Sequence, residues 1–239
     1  MAGIHTVYRR TNQSNVISAF SRLILPSSGN YGCKDNISDL EPYGGGFPEF
    51  FHGFYDSSWK GFDAGVLYSK GKWRAFVNPT ADPNHKWAES LTGFSIPTNR
   101  EIAIRTYLQG DYLIVSILNS SNVEIDKCHY YLGSFKYLLQ SGSYFHREMT
   151  IAVNPEKSGA ILSPKAAFYR DASFKNSSIT LVGGSTVALS SSNSNITNNG
   201  KVDPGTPTNT YDDKKSSTSL NGYVHDTSSA TFYKTVYPV

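Results

Sequence analysis

Apolar and polar positions alternate with a period of two along much of this chain. Met149, Ile151 and Val153 interleave with Glu148, Thr150 and Ala152, which predicts a strand. Strands are also predicted at 62–69 and 73–77, joined through Lys70-Gly71-Lys72 as a short hairpin loop. Gln109-Gly110-Asp111 marks a second hairpin between 101–108 and 112–119. The second arm of that hairpin is apolar on both faces, the pattern of a central strand covered on both sides. Further strands are expected at 123–132, 166–169 and 178–182. Ser134 can cap a short helix through Gln140, with Gly142 at its C-terminal end.

Two stretches read differently. Val16, Phe20 and Leu23 have helical spacing, while Phe20, Arg22 and Ile24 have strand spacing, so the periods conflict there. Residues 30–58 hold few aliphatic side chains and read as a long structured loop region. From Ser185 to Gly222, 20 of 38 residues are Ser, Thr or Asn. So little apolar surface cannot offset the entropy of ordering, and a loop or linker is expected. Residues 223–239 regain aromatic rings, with Tyr233, Thr235 and Tyr237 on one strand face and Phe232, Lys234 and Val236 on the other. Such a strand can return to its own sheet or add to a neighbour's edge. Many short strands separated by polar turns predict an all-β, antiparallel jelly roll or β-sandwich with one short helix. The expected organisation is a domain at 1–184, a linker at 185–222 and a terminal strand at 223–239.

Composition narrows the function. Charged residues make up 17% of the chain, below the usual ~25%. The net charge of +3 is spread thinly, with Arg9-Arg10 and Lys214-Lys215 the basic pairs, which is no footprint for nucleic acid. No run approaches the ~20 apolar residues of a membrane span. The first residues lack a basic segment followed by an apolar one. The Tyr-, Ser-, Thr- and Asn-rich composition points to a secreted or cell-surface protein, and that start leaves an intracellular one open. Cys33 and Cys128, if paired, would add about 4–5 kcal/mol by the chain-entropy model; as free thiols they would pack as small hydrophobes.

Candidate chemistry centres on aromatic rings. Trp59, Trp73 and Trp87 all lie within one short stretch beside the glycine-rich run 43–55. Flat rings next to a sheet suit sugar stacking, and they also suit a β core. Trp87, Trp59 and Tyr55 lie in or beside predicted loops and are the candidate carbohydrate-binding residues, in that order; Trp73 lies inside a predicted strand and is assigned to the core. Glu124 and Asp126 should share one strand face, and paired carboxylates hydrolyse glycosides. In laminarinase-type glucanases a third acid follows, but here that position falls on Cys128 or His129. Asp63, Asp82 and Asn84 offer oxygens to a calcium ion, though Asp-Pro-Asn also makes an ordinary turn. No histidine pair has metal-ligand spacing, no nucleophile elbow or phosphate loop occurs, and no cofactor is expected.

Gly61 to Ser69 with Trp73, the hairpin from Ile102 to Leu118, and Arg147 to Val153 follow one another in an order that resembles a concanavalin-like jelly roll. The resemblance is to uncharacterised secreted, lectin-like proteins of Gram-positive bacteria and covers about half the chain. It implies a fold rather than a site. The leading expectation is a non-catalytic, lectin-like carbohydrate binder. The alternatives are a structural protein that self-assembles through residues 223–239, and a polysaccharide-cleaving enzyme.

Overall fold

A computed structural model describes residues 2–33, 46–80, 87–153, 167–196, 201–202 and 211–232, with the backbone alone at 2–4, 33, 46, 153, 201–202, 211–212 and 232. The chain is all-β, two antiparallel sheets forming a sandwich with one short helix. Its strands are β1 (Ala2–Thr11), β2 (Val16–Ile24), β3 (Tyr31–Cys33), β4 (Gly46–Tyr55), β5 (Gly61–Ser69), β6 (Lys72–Pro79), β7 (Ala88–Glu89), β8 (Glu101–Gln109), β9 (Tyr112–Asn119) and β10 (Glu124–Tyr131). After a 3₁₀ turn at Gly133–Lys136 and the helix α1 (Tyr137–Gln140) come β11 (Tyr144–Val153), β12 (Ala167–Leu181), β13 (Thr186–Ala188), β14 (Ser194–Ile196), β15 (Lys201–Val202), β16 (Tyr211–Leu220) and β17 (Tyr223–Phe232).

The first sheet runs β14-β1-β11-β4-β5-β6-β7, with β15 also paired to β1. The second runs β10-β9-β8-β2-β12-β17-β16, with β3 and β13 paired to β12. Between them lies one apolar core, including Phe50, Phe54, Trp73, Ile104, Val115 and Phe174. The predicted hairpins form as two-residue turns. Lys70 and Gly71 have φ of +50° and +76°, the positive pair that matches the twist of the flanking strands.

Four expectations are revised. The conflict at 16–25 resolves as strand β2, which pairs with both β8 and β12. Residues 46–55 are not loop but β4, inside the first sheet between β11 and β5. Both faces of β4 carry aromatic rings, with Glu49 on one and His52 on the other, so it has no polar alternation to read, and aromatic residues favour strands. Strand β1 escaped prediction altogether. Finally, the stretch 185–222 carries β13, β14, β15 and β16. Polar side chains do not prevent strands there, because the backbone pairs with β12, β1 and β17 while many side chains stay in water. Residues 223–232 form β17, which pairs on one side with β12 and on the other with β16; 233–239 lie outside the described residues.

Polar groups are buried between the sheets with their partners. Arg9, Arg147 and His52 stand in one row across β1, β11 and β4. Arg9 grips Asp226 of β17 with Nε and Nη2 at 2.7 and 2.9 Å. Arg147 donates to the same carboxylate at 2.7 Å and to the Val224 carbonyl. Burial raises the Asp226 pKa, but the two guanidinium groups outweigh it and hold the carboxyl at about 2. His52 sits between Ser21 and Thr106 at 2.7 and 3.0 Å, and burial, with Arg147 nearby, pushes its imidazole down to about 3.

Candidate functional site

Side chains alternate across a sheet, so the residues between the core positions of the first sheet point away from the second. Register lines up Arg10, His146, Gly53 and Asp63 across β1, β11, β4 and β5. The next row is Tyr8, Glu148, Phe51, Gly65 and Phe76. Gly53 is required here, because a Cβ at that position would overlap the His146 imidazole. The ring lies across the gap, stacked on Tyr55 at 5.0 Å and tilted against Tyr8 at 4.5 Å.

A buried polar network surrounds that ring. Tyr8 Oη and His146 Nδ1 are 3.0 Å apart, and His146 Nε2 lies 3.6 Å from both Asp63 and Glu148. Tyr55 Oη donates to Asp63 at 2.8 Å. Glu148 is bonded to His5 and accepts from Thr150 Oγ1 at 2.9 Å. Burial lowers the His146 pKa against the opposing pull of Asp63. Glu49, on the same face, is buried with Oε1 unpartnered. Burial, helped by the charge of Asp63, raises its pKa well above the carboxylate range.

At one end this network meets the surface. The β4–β5 turn, Asp56 to Lys60, is clamped by the Asp56 carboxylate, which accepts from the backbone of Ser58 at 2.8 Å and of Lys60 at 3.0 Å. Tyr137 Oη donates to its other oxygen at 2.8 Å, tying the turn to α1. The clamp holds Trp59 at φ +61°, a conformation that a bulky residue seldom adopts. Trp59 is 51% exposed. Its indole leans on Tyr55 and Tyr8 at 6.1 and 6.5 Å. The Arg10 guanidinium lies 4.5 Å from the Trp59 ring centre and 4.0 Å from that of Tyr144, between the two rings.

The structure thus brings two of the three ring candidates together, Trp59 and Tyr55. Trp87 sits apart. It is half-buried against Phe76 and Phe47, beside Phe51 and Leu67, in a second apolar cluster. Trp73 is 1% exposed and stacks on Phe50 in the core. Asp63 joins the site, whereas Asp82 and Asn84 lie outside the described residues. Among the described residues no group of three or more His, Cys, Asp or Glu is placed to hold a metal ion, and no helix is long and apolar enough to cross a membrane.

The carboxylate pair on β10 is a correction. A bulge at Ile125 breaks the alternation, so Glu124 pairs opposite Leu118 and Asp126 opposite Ile117. Glu124 then faces solvent with Lys127 and Ser116. Asp126 faces the core side, accepting from Ala75 N and Ser90 Oγ. Acids on opposite faces cannot flank one glycosidic bond. Cys128 is a buried free thiol that burial pushes up to about 12; the side chain of Cys33 lies outside the described residues.

Tyr8, Arg10 and His146 were not read as site residues. Arg10 and Tyr8 fall in the unpredicted strand β1, and His146 stands beside Gly53 only once β11 and β4 pair. Comparison with protein-family models and with curated proteins finds no match. Among solved structures, the chain is similar to the CBM2 module of an evolved Dit from Lactobacillus casei BL23 phage J-1. That likeness has a TM-score of 0.37 and 8% identity over 62% of this chain and 59% of that one. It is also similar to a functionally unknown protein from Saccharomyces cerevisiae, with a TM-score of 0.32 and 8% identity over 62% of this chain and 60% of that one. In each case the match spans less than two thirds of the other protein.

Proposed function

We propose that this chain is a non-catalytic, lectin-like β-sandwich of concanavalin type, secreted or at the cell surface, that binds carbohydrate at Trp59. The observation that carries the reading is the way this indole is held. A strained backbone of this kind costs on the order of 1–3 kcal/mol and persists only where the surroundings impose it. Here the Asp56 clamp imposes it, and the outcome is a large ring kept half in water. A sugar ring offers a flat face of C–H groups and a rim of hydroxyls. The indole would cover the face, and Arg10 stands beside it for the rim. The acids of the site support binding rather than turnover, since Asp63 and Glu148 are taken up by Tyr55, Thr150 and the two histidines.

The test compares two tryptophans. Trp59→Ala should lower affinity for a captured glycan at least tenfold, about 1.4 kcal/mol, with little change in melting temperature. Trp87→Ala should do the reverse, because it opens the Phe51–Leu67–Phe76 cluster and leaves Trp59 in place. Glycan-array binding that survives Trp59→Ala would overturn the assignment.

A further inference from the structure

We propose that the sugar bound at Trp59 is acidic, a uronic acid or similar carboxylated ring, with its carboxylate held by Arg10; this rests on the carbohydrate reading above. Among the described residues, Arg9, Arg22, Arg74, Arg100, Arg147 and Arg170 each reach a carboxylate or a carbonyl oxygen. Arg10 is also half-buried, yet its contacts are rings. Its guanidinium has no hydrogen-bond acceptor among the described residues, and Nε is sealed from water without a partner. Leaving a buried donor unmet is unfavourable, and more so for a charged group. Arg10 as a whole is only half-buried, so part of the side chain reaches water.

A planar fork held between two rings has lost most of its rotational freedom before any ligand arrives. It matches a carboxylate through two parallel N–H···O bonds, which a lysine ammonium cannot reproduce. The acids on that side do not supply the acceptor. Asp56 is committed to the turn and to Tyr137, and Asp63 to Tyr55 and His146. Trp59, touching the same guanidinium, places the stacking surface beside the charge.

The experiment is calorimetric titration of the full chain with oligogalacturonate, oligoglucuronate and oligomannuronate, each against its methyl ester. The acid form of at least one should bind at least tenfold tighter than its ester. Arg10→Gln and Arg10→Lys should both erase that preference, and Trp59→Ala should remove binding of acid and ester alike. Equal binding of acid and ester by the wild-type chain would overturn the proposal and leave the carbohydrate reading standing; this comparison holds even if an Arg10 variant does not fold. A preference that survives in folded Arg10→Lys would also overturn it, leaving Arg10 as a prop for Trp59. Sodium acetate competing as well as the sugar acid would reduce the site to an anion site. No binding of any acid or ester would overturn it too, and a parallel array of neutral glycans would then decide whether the carbohydrate reading falls with it.

Discussion

One letter of the sequence, tryptophan, stands for three environments in this protein. Trp73 is sealed in the core, Trp87 half covers a secondary cluster, and Trp59 projects into water from a left-handed backbone. Local pattern separated Trp73 because it lies in a strand. It placed Trp87 ahead of Trp59 without access to exposure, which is set by what packs over each ring. Histidine shows the same limit. His52 and His146 differ by which face of the sheet they occupy, and the core one is legible only as a hydrogen-bonded residue between Ser21 and Thr106. Its depressed pKa has a direct consequence. Below pH about 6.5 the unfolded imidazole takes a proton that the folded one refuses until about pH 3. Stability should therefore fall with pH across that window, by about 1.4 kcal/mol per pH unit from this group. Urea midpoints at pH 7 and pH 4.5 test this, and His52→Gln should shrink the difference between them. An unchanged difference would show that the imidazole charges without unfolding.

At the scale of elements, alternation located the strands whose two faces differ in polarity and failed where both faces carry aromatic rings. Strand β11 was legible from Met149, Ile151 and Val153. Strand β4 was not, because Phe51 and Tyr55 face the outer network while Phe50 and Phe54 face the core. The bulge at Ile125 was invisible too, since one extra residue in a strand leaves composition unchanged while it reverses every later side chain. In contrast, Asn221-Gly222 is a strong hairpin signal lying inside a stretch read as linker. Both residues have positive φ, +51° and +80°. Gly222→Ala should cost about 1–2 kcal/mol, read as a lowered melting temperature, because the left-handed conformation penalises a Cβ. No loss would mean that the hairpin does not depend on this turn. The same hairpin bears on self-association. Between Asp226 and Phe232 β17 is paired with both β12 and β16, which leaves β16 as the outer strand of this hairpin, and its Lys214 and Lys215 are the kind of charges that discourage edge pairing.

Across the whole molecule, the Arg9–Asp226–Arg147 cluster is a charged fastening between the sheets. With the Asp226 carboxyl held at about 2, its contribution is present above the ordinary aspartate range near 4. It is lost as pH falls towards about 2, an effect of about 2–3 kcal/mol. Asp226→Ala should be far worse, about 3–5 kcal/mol at neutral pH, because two buried cations lose their counter-ion. Replacing all three residues with apolar ones of similar volume should recover much of that loss. Equal damage from the single and triple changes would show that packing, rather than unpaired charge, sets the penalty. The cluster was out of reach of sequence reading, since nothing local to Arg9 names a partner 217 positions away.

That separation also constrains how the chain can acquire its structure. As a chain is made from its N-terminus, β1 emerges well before β17, yet its Arg9 finds its acid only when β17 exists. Its sheet partners β11, β14 and β15 come late as well. The topology is therefore of high contact order, with loop closure preceding its reward, and slow folding follows. The Arg9–Asp226 fastening between the sheets therefore closes only after β17 has left the ribosome.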